Sequence, residues 1–171
     1  MAISYLNSQG TLVYLISAAL ADTVDQAVPA DDLVVILGGD VVGCPQSIGS
    51  IEETRTVTEY KCMSSNDTAK ALGSISRGNI ELGLLFDPDD VTGQSVLKAA
   101  FAGNLRLGIG IELPDRDDTL GETLMSGTIF YFEGSVSAVS VGIEQDAAVT
   151  YTVTIEISSD VTEYAAVAGS A

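Results

Sequence analysis

The stretch AVTYTVTIEIS at 148–158 decides the class of fold, because apolar and polar residues alternate along it without a break. A period of two is typical of a β-strand that covers a core with one face and meets water or another polar surface with the other. Thr, Glu and Ser side chains form the polar face. The apolar face consists of Val149, Tyr151, Val153, Ile155 and Ile157.

The residues upstream repeat this pattern and predict a hairpin. Val139, Val141 and Ile143 alternate with small or polar residues, and Asp146 and Ala147 fall between the two runs. Eight or so strands with one antiparallel hairpin favour a β-sandwich or a rolled, barrel-like sheet. Gly38-Gly39-Asp40 is a strong turn signal. Further strands are predicted at 11–18, 33–37, 47–60, 79–86, 104–112 and 127–133.

One helix is predicted, at about 88–102. The first two residues of DPDD (87–90) suit the N-cap and the first helical position. Gly93, Leu97 and Phe101 then share one face at helical spacing, so we expect Leu97 and Phe101 to pack against the sheet. A single helix beside many strands makes the predicted fold class α+β, mainly β.

Two segments are predicted to be loops. Residues 113–125 are polar and turn-rich, and residues 61–78 (KCMSSNDTAKALGSISRG) are small, polar and weakly periodic. The second segment, predicted as an extended loop, holds three of the seven basic residues of the chain. Loops longer than about 15 residues are uncommon in compact domains and often functional. The segment is therefore either a solvated surface loop or a contact with a partner.

Length and charge limit the possible functions. The 171 residues fit one domain, 1–171, and 46% hydrophobic residues suffice for a core. Seven bases against 24 acids give a net charge of −17, which excludes binding nucleic acid by neutralising its phosphates. The charge serves either solubility or a surface that repels a polyanion, such as the lining of a channel for DNA.

The residues also argue against catalysis and cofactor binding. The chain has no histidine, which excludes His-based catalytic pairs and His-ligated zinc. Asp115 and Asp117 imitate the start of a calcium loop, but Leu120 stands where that loop needs glycine. Cys44 and Cys62 are too few for a four-thiolate zinc site, and they either pair once or remain buried free thiols. We therefore expect no catalytic, metal or cofactor site.

Membrane insertion and secretion are not expected. No apolar run reaches the roughly 18 residues that a membrane span requires. TLVYLISAALA (11–21) looks like the core of a signal peptide, but the first basic residue is Arg55, so the run is predicted to be a buried strand. We therefore expect the protein to be made and folded in a reducing cytoplasm.

One segment that resembles a known protein family is LLFDPDDVTGQSVLKAAFAGNLRLGIGIELPD (84–115). This segment resembles the strand–helix–strand unit of tail tube proteins (major tail proteins) of long, non-contractile-tailed bacteriophages, the siphophages. In that unit a Gly-Gln pair opens the helix, here Gly93-Gln94, and a Leu and an aromatic residue follow on its packing face. The next strand ends near a proline, here Pro114.

A second stretch, GTIFYFEGSVSAVSVGIEQDAAVTYTVTIEIS (127–158), is similar to the C-terminal hairpin of that family. Its Gly-Thr opening leads to Phe-x-Gly-x-Val-Ser, which Phe132, Gly134, Val136 and Ser137 match. The N-terminal 40 residues show no match, and no extra C-terminal immunoglobulin-like domain is expected.

The resemblance implies a tail tube fold and a structural role in the virion, after assembly in the bacterial host cytoplasm. Rings of six subunits would stack into a hollow tube, with a tape measure protein, a tail initiator or tip protein and a tail terminator as partners. DNA would pass through an acidic lumen without specific binding. The candidates for lumen acids are Glu133, Glu144 and Glu156.

The family also places an extended loop between early strands against the neighbouring ring. Segment 61–78 is the candidate for that loop, because its bases could meet acids across the joint. The residues concerned are Lys61, Cys62, Met63, Lys70 and Arg77.

Two other classes of protein remain as alternatives. A different β-rich virion protein, such as a tail terminator or a head decoration protein, would form a single ring or trimer instead of a polymer. An extracellular carbohydrate-binding module is disfavoured, because such sites use exposed aromatic platforms and this chain has no tryptophan and only 6% aromatic residues.

Overall fold

A computed structural model of the protein describes residues 10–17, 29–61, 68–115, 126–145 and 147–166. These residues form ten strands and two helices. In chain order they are β1 (Leu12–Ser17), α1 (Pro29–Leu37), β2 (Asp40–Val41), β3 (Pro45–Ile48), β4 (Glu53–Lys61), β5 (Thr68–Arg77), β6 (Asn79–Leu85), α2 (Gln94–Gly103), β7 (Arg106–Glu112), β8 (Ile129–Gly142), β9 (Thr150–Ile157) and β10 (Thr162–Tyr164).

The main sheet is antiparallel and has the strand order β2-β1-β7-β8-β9-β6-β3, with β10 added against the start of β8. Val13 from one end of this order and Leu82 from the other belong to the same buried cluster, so the sheet is rolled onto itself. A bulge between Val136 and Ala138 interrupts the pairing of β8 with β9, and bulges bend and twist the strand that carries them. The predicted fold class, mainly β with a rolled sheet, is confirmed, but the described residues form two helices instead of the one predicted.

The alternation at 148–158 is also confirmed. Tyr151, Val153, Ile155 and Ile157 are buried, whereas Glu156 is exposed. The hairpin predicted upstream is β8–β9, in which Val139 faces Val153 and Val141 faces Tyr151. The alternation correctly predicts which face of this ribbon meets the core.

Helix α2 begins later than the predicted start at 88. Its N-cap is Gly93, and Asp90 accepts hydrogen bonds from the backbone N–H groups of Gly93 at 2.7 Å, Gln94 at 3.1 Å and Gly43 at 3.2 Å. Asp90 thus joins the start of the helix to the chain after β2. A Cβ on Gly93 would lie 2.7 Å from Cα of Val42, so this position has no room for a side chain. The Gly-Gln pair opens the helix, as the resemblance implies.

The packing face of α2 differs from the prediction at one residue. Leu97 is fully buried and Ala100 nearly so, but Phe101 is 47% exposed. All residues from 101 to 106 are exposed, so this end of the helix runs past the sheet. The prediction that Phe101 packs against the sheet is therefore wrong.

The strand predicted at 33–37 is wrong, because these residues belong to α1. Asp32 and Ile36 are buried one helical turn apart, and Ile36 packs with Ile16, Tyr131 and other residues on the second face of the sheet. The carboxylate of Asp32 accepts a hydrogen bond from the hydroxyl of Tyr164 at 3.0 Å. Periodicity cannot separate a strand from a buried helix in an apolar run as short as LVVIL.

One further strand boundary differs from the prediction. The single strand predicted at 47–60 is two strands, β3 and β4, separated by residues 49–52. The turn predicted at Gly38-Gly39 is present after α1. Of the polar loop predicted at 113–125, only 113–115 are described, without helix or strand; 116–125 lie outside the described residues, as does Asp146.

Leu97→Ala should lower the free energy of unfolding by about 2–5 kcal/mol, because it removes a fully buried side chain between helix and sheet. Phe101→Ala should lower it by less than about 1 kcal/mol, because about half of that side chain is already in water. Urea unfolding of both variants measures the difference. Equal losses would contradict the assigned packing face.

Asp90→Asn should destabilise the protein by about 1–2 kcal/mol at pH 7, because the neutral amide keeps only one acceptor oxygen for the four backbone N–H groups that the carboxylate binds. Burial by itself raises the pKa of Asp90, but the N–H groups of Gly93, Gln94, Gly43 and Thr92 outweigh it and hold the pKa below the usual 3.8. The carboxylate therefore stabilises the fold fully above the pKa of the unfolded chain, and this effect is lost as the pH falls through the lower folded pKa.

Urea unfolding of wild type and Asp90→Asn between pH 7 and pH 2.5 tests this dependence. The gap between the two proteins should stay constant down to about pH 4 and then narrow. A gap that persists at the acid end would show that the charge of Asp90 does not stabilise the helix start.

Candidate assembly surfaces

β4 and β5 form a two-stranded hairpin that projects from the body. β4 and β5 pair only with each other, and every side chain along them is exposed except Arg77 at the base. Ten residues of strand at about 3.3 Å each give an arm roughly 33 Å long. The prediction of an extended loop at 61–78 is wrong over Thr68–Arg77, which form strand β5. The sequence does not reveal this strand, because both of its faces are in water and its residues therefore do not alternate between apolar and polar.

The hairpin exposes apolar side chains as well as polar ones. Val57 and Leu72 face each other across the two strands, and Leu72 is 67% exposed. Tyr60 lies on the opposite face and is also exposed. A lone two-stranded hairpin is marginally stable in water, and exposed apolar groups on it indicate a surface that another molecule covers.

The predicted inter-ring bases have different surroundings. Lys61 is the last residue of β4, and Lys70 contacts Glu59 across the hairpin at 3.0 Å. Arg77 contacts Glu53 and Asp160 and is 22% exposed, so it anchors the base of the hairpin to the body. Lys61 and Lys70 therefore lie on the outer half of the arm, whereas Arg77 does not. Cys62 and Met63 lie outside the described residues.

One face of the sheet carries a polar surface, which we call the polar face. It lies on the same side of the sheet as α1, beyond the area that α1 covers. Cross-strand partners in the register share a face, which assigns its members. They are Asn79, Glu81, Arg106, Glu133, Ser135, Ala138, Ser140, Thr152, Thr154 and Glu156.

Two of the three predicted lumen acids lie on the polar face. Glu156 is exposed, and Glu133 is mostly covered and contacts Arg106 at 3.0 Å. Glu144 lies beyond the end of β8, on the connection to β9, so it is not carried by a strand as expected. Sequence reasoning missed Glu81, which is exposed and faces Thr154. The alternation of Asn79, Glu81 and Gly83 with buried residues in β6 was a signal for it.

The sheet has open edges. β7 pairs with β8 only as far as Ser135, so no strand in the described part of the chain pairs with that edge of β8 from Val136 to Gly142. At the end of the strand order, the outer edge of β3 is also open, beside a cleft of 1190 Å³ between β3 and β10. Open edges offer backbone N–H and C=O groups to a strand of another chain.

Solved structures with this fold come from tails and injection systems. The chain superposes on a chain of the six-fold-symmetrised baseplate of the anti-feeding prophage with a TM-score of 0.67 at 11% identity, over 96% of this chain and 98% of that one. Superposition on the SPP1 tail tube gives a TM-score of 0.62 at 10% identity, over 94% of this chain and 80% of that one. Superposition on a sheath/tube terminator of the PVC extracellular contractile injection system gives a TM-score of 0.64 at 12% identity, over 96% of this chain and 100% of that one.

The chain therefore has the tail tube fold, and the fold implied by the resemblance is confirmed. The matches include proteins of contractile injection systems, so the fold does not restrict the chain to non-contractile tails. No protein-family model and no curated protein sequence matches the chain.

The described residues offer few other sites. No three His, Cys, Asp or Glu side chains among them group together in a way that could hold a metal ion. None of the helices in the described ranges is long and apolar enough to cross a membrane. Cys44 is a free thiol but is exposed, so the expectation that it is buried is wrong; Cys62 lies outside those ranges.

Proposed function

We propose that this protein is the repeating subunit of the tail tube of a long, non-contractile-tailed phage, a structural protein without enzymatic activity. The observation that carries the proposal is the tail tube fold, which covers nearly the whole chain. Six copies form a ring, and rings stack into a hollow tube. A tape measure protein, a tail initiator or tip protein and a terminator are its partners in the tail.

The open edges support ring formation. The free half of β8 and the outer edge of β3 are unlike each other, so a contact between them joins copies head to tail. Head-to-tail contacts close into rings when the rotation between neighbours divides a full turn. Backbone pairing between strands needs no charge complementarity, which suits copies that carry −17 each.

The polar face supports a lumen that conducts DNA. Glu81 and Glu156 are exposed there, and Arg106 is the single basic residue among its members and contacts Glu133. A face with these groups releases no counterions from DNA phosphates on balance, so DNA slides along it without sticking. In the tube this face points inward.

A tail terminator is the second candidate, and one finding favours it. The PVC sheath/tube terminator and the cap of the anti-feeding prophage superpose on this chain about as well as the SPP1 tail tube does. A terminator forms one ring at the end of a tube, whereas a tube subunit stacks repeatedly.

Negative-stain electron microscopy of the concentrated protein over a salt series separates the two candidates. Screening of the −17 charge at high salt should favour association. A tube subunit gives hollow tubes of uniform width with six-fold end views, and single rings that never stack indicate a terminator. If only monomers form, the test moves to purified virions, where a tube subunit must be among the most abundant tail proteins.

Glu81→Lys combined with Glu156→Lys should leave the fold and the number of assembled tails unchanged but slow DNA ejection, because two cations per subunit would then bind passing phosphates. Asp40→Lys is the control, since Asp40 is an exposed strand residue that pairs with Leu15 and lies on the opposite side of the sheet from the polar face. Ejection is followed by release of dye-accessible DNA from triggered particles. Wild-type ejection rates in the double variant would show that the polar face does not line the lumen.

A further inference from the structure

The open edges of β3 and β8 lie at the same level along the sheet. Following the register across β6 and β9 places Pro45 level with Val141 and Ile48 level with Val139, in the free half of β8. All three pairings are antiparallel, so β3 runs antiparallel to β8. Two copies placed side by side can therefore join these edges and continue the antiparallel sheet.

The end of α2 flanks the free edge of β8. The chain passes from α2 into β7 at Arg106, which faces Ser135, and beyond this pair the edge of β8 is free in the described part of the chain. Phe101 is 47% exposed and Leu105 52%, and we call these two side chains the knob. Lys98 is exposed on the same face of α2 as Phe101, three residues before it. The free edge thus has an apolar knob and a base beside it.

The cleft of 1190 Å³ borders the other open edge, that of β3. Its acids are Glu53, which contacts Arg77, and Glu163, which is exposed on β10. A concave surface with apolar walls and a few polar groups is suited to receive apolar side chains. The apolar walls include Ile48, Ile51, Ile111, Leu113, Phe130 and Val161.

The knob and the cleft lie on the same side of the sheet. α2 packs through Leu97 on the main core cluster, which also contains Ile111 and contacts Ile48 and Ile51 of the cleft walls. When the β3 edge of one copy joins the β8 edge of another, the cleft and the knob therefore come together at the interface. Within one copy, three strand spacings of about 4.8 Å separate the two edges along the sheet, and the knob lines no part of the cleft.

We infer that Phe101 and Leu105 of one copy enter the cleft between β3 and β10 of the neighbouring copy in the ring. This inference rests on the proposed tube and names the side chains that accompany the pairing of the two edges. Residues 91–111 hold two bases and no acid, and one of these bases, Lys98, approaches Glu163 of the cleft. Opposite charges on the two surfaces select the correct pair of edges.

Truncation of the knob tests the apolar part of the contact. The variant with Phe101→Ala and Leu105→Ala should associate at least about tenfold more weakly than wild type, because buried aromatic anchors dominate contacts of this kind. Val34→Ala on α1 is the control, since Val34 is exposed to a similar extent, 54%, but lies elsewhere, and it should associate like wild type. Far-UV circular dichroism and urea midpoints establish that each variant is folded. Sedimentation velocity over a salt series measures association.

An exchange of charges within one chain tests the pairing of Lys98 with Glu163. Every copy in a ring contributes both residues, so Lys98→Glu alone and Glu163→Lys alone should each weaken association about fivefold, because like charges then face each other. The double variant restores an opposite pair and the net charge of −17, so it should associate like wild type. Asp40→Lys changes the net charge as much as Glu163→Lys does, and it should not weaken association.

Three outcomes would overturn the inference. Association of the truncated variant at wild-type strength, in tubes of unchanged width, would show that the rings form without the knob, and it leaves the proposed function standing. Failure of the double charge variant to recover would show that the end of α2 meets a different surface. A wild type that forms neither rings nor tubes at any salt concentration rejects an intrinsic knob–cleft contact, and the proposed function is then decided by the presence of the protein in virion tails.

Discussion

The structure depends on β8, a strand of 14 residues that pairs with three others and supports α2. Its first half lies between β7 and β10, and its second half pairs with β9 alone. The bulge after Val136 marks the change between the two halves. The same strand therefore completes the core at one end and leaves an unpaired edge at the other, so folding of the subunit and its capacity to pair with another chain have a common origin.

Charge decides which contacts can hold such subunits together. Copies that carry −17 each repel, and surface charges are screened over about 8 Å at physiological salt. Single surface ion pairs contribute only about 0–1 kcal/mol, so they select the partner surface more than they stabilise the contact. Backbone pairing at open edges and burial of apolar groups such as Leu72 and Ile143 would supply the stabilisation.

The sequence predicts those features that are set by neighbouring residues. The alternation at 148–158 identified both the strand and its buried face. The start of α2 could not be found in this way, because Asp90 caps it while also binding Gly43, which is 47 residues away. The second strand of the hairpin, β5, was missed because a strand without a core shows no pattern of burial. The polar face was found in part, at Glu133 and Glu156, since only cross-strand register identifies all its members.

A subunit with open edges and an exposed apolar arm must still remain soluble before it assembles. Two features of the chain serve this end. Net charge opposes unguided contact, and Pro45 removes one backbone donor from the edge of β3. In the proposed tube, assembly requires a surface that presents several complementary edges together, as the end of a growing tube does, so the features that permit polymerisation also restrict it to that end.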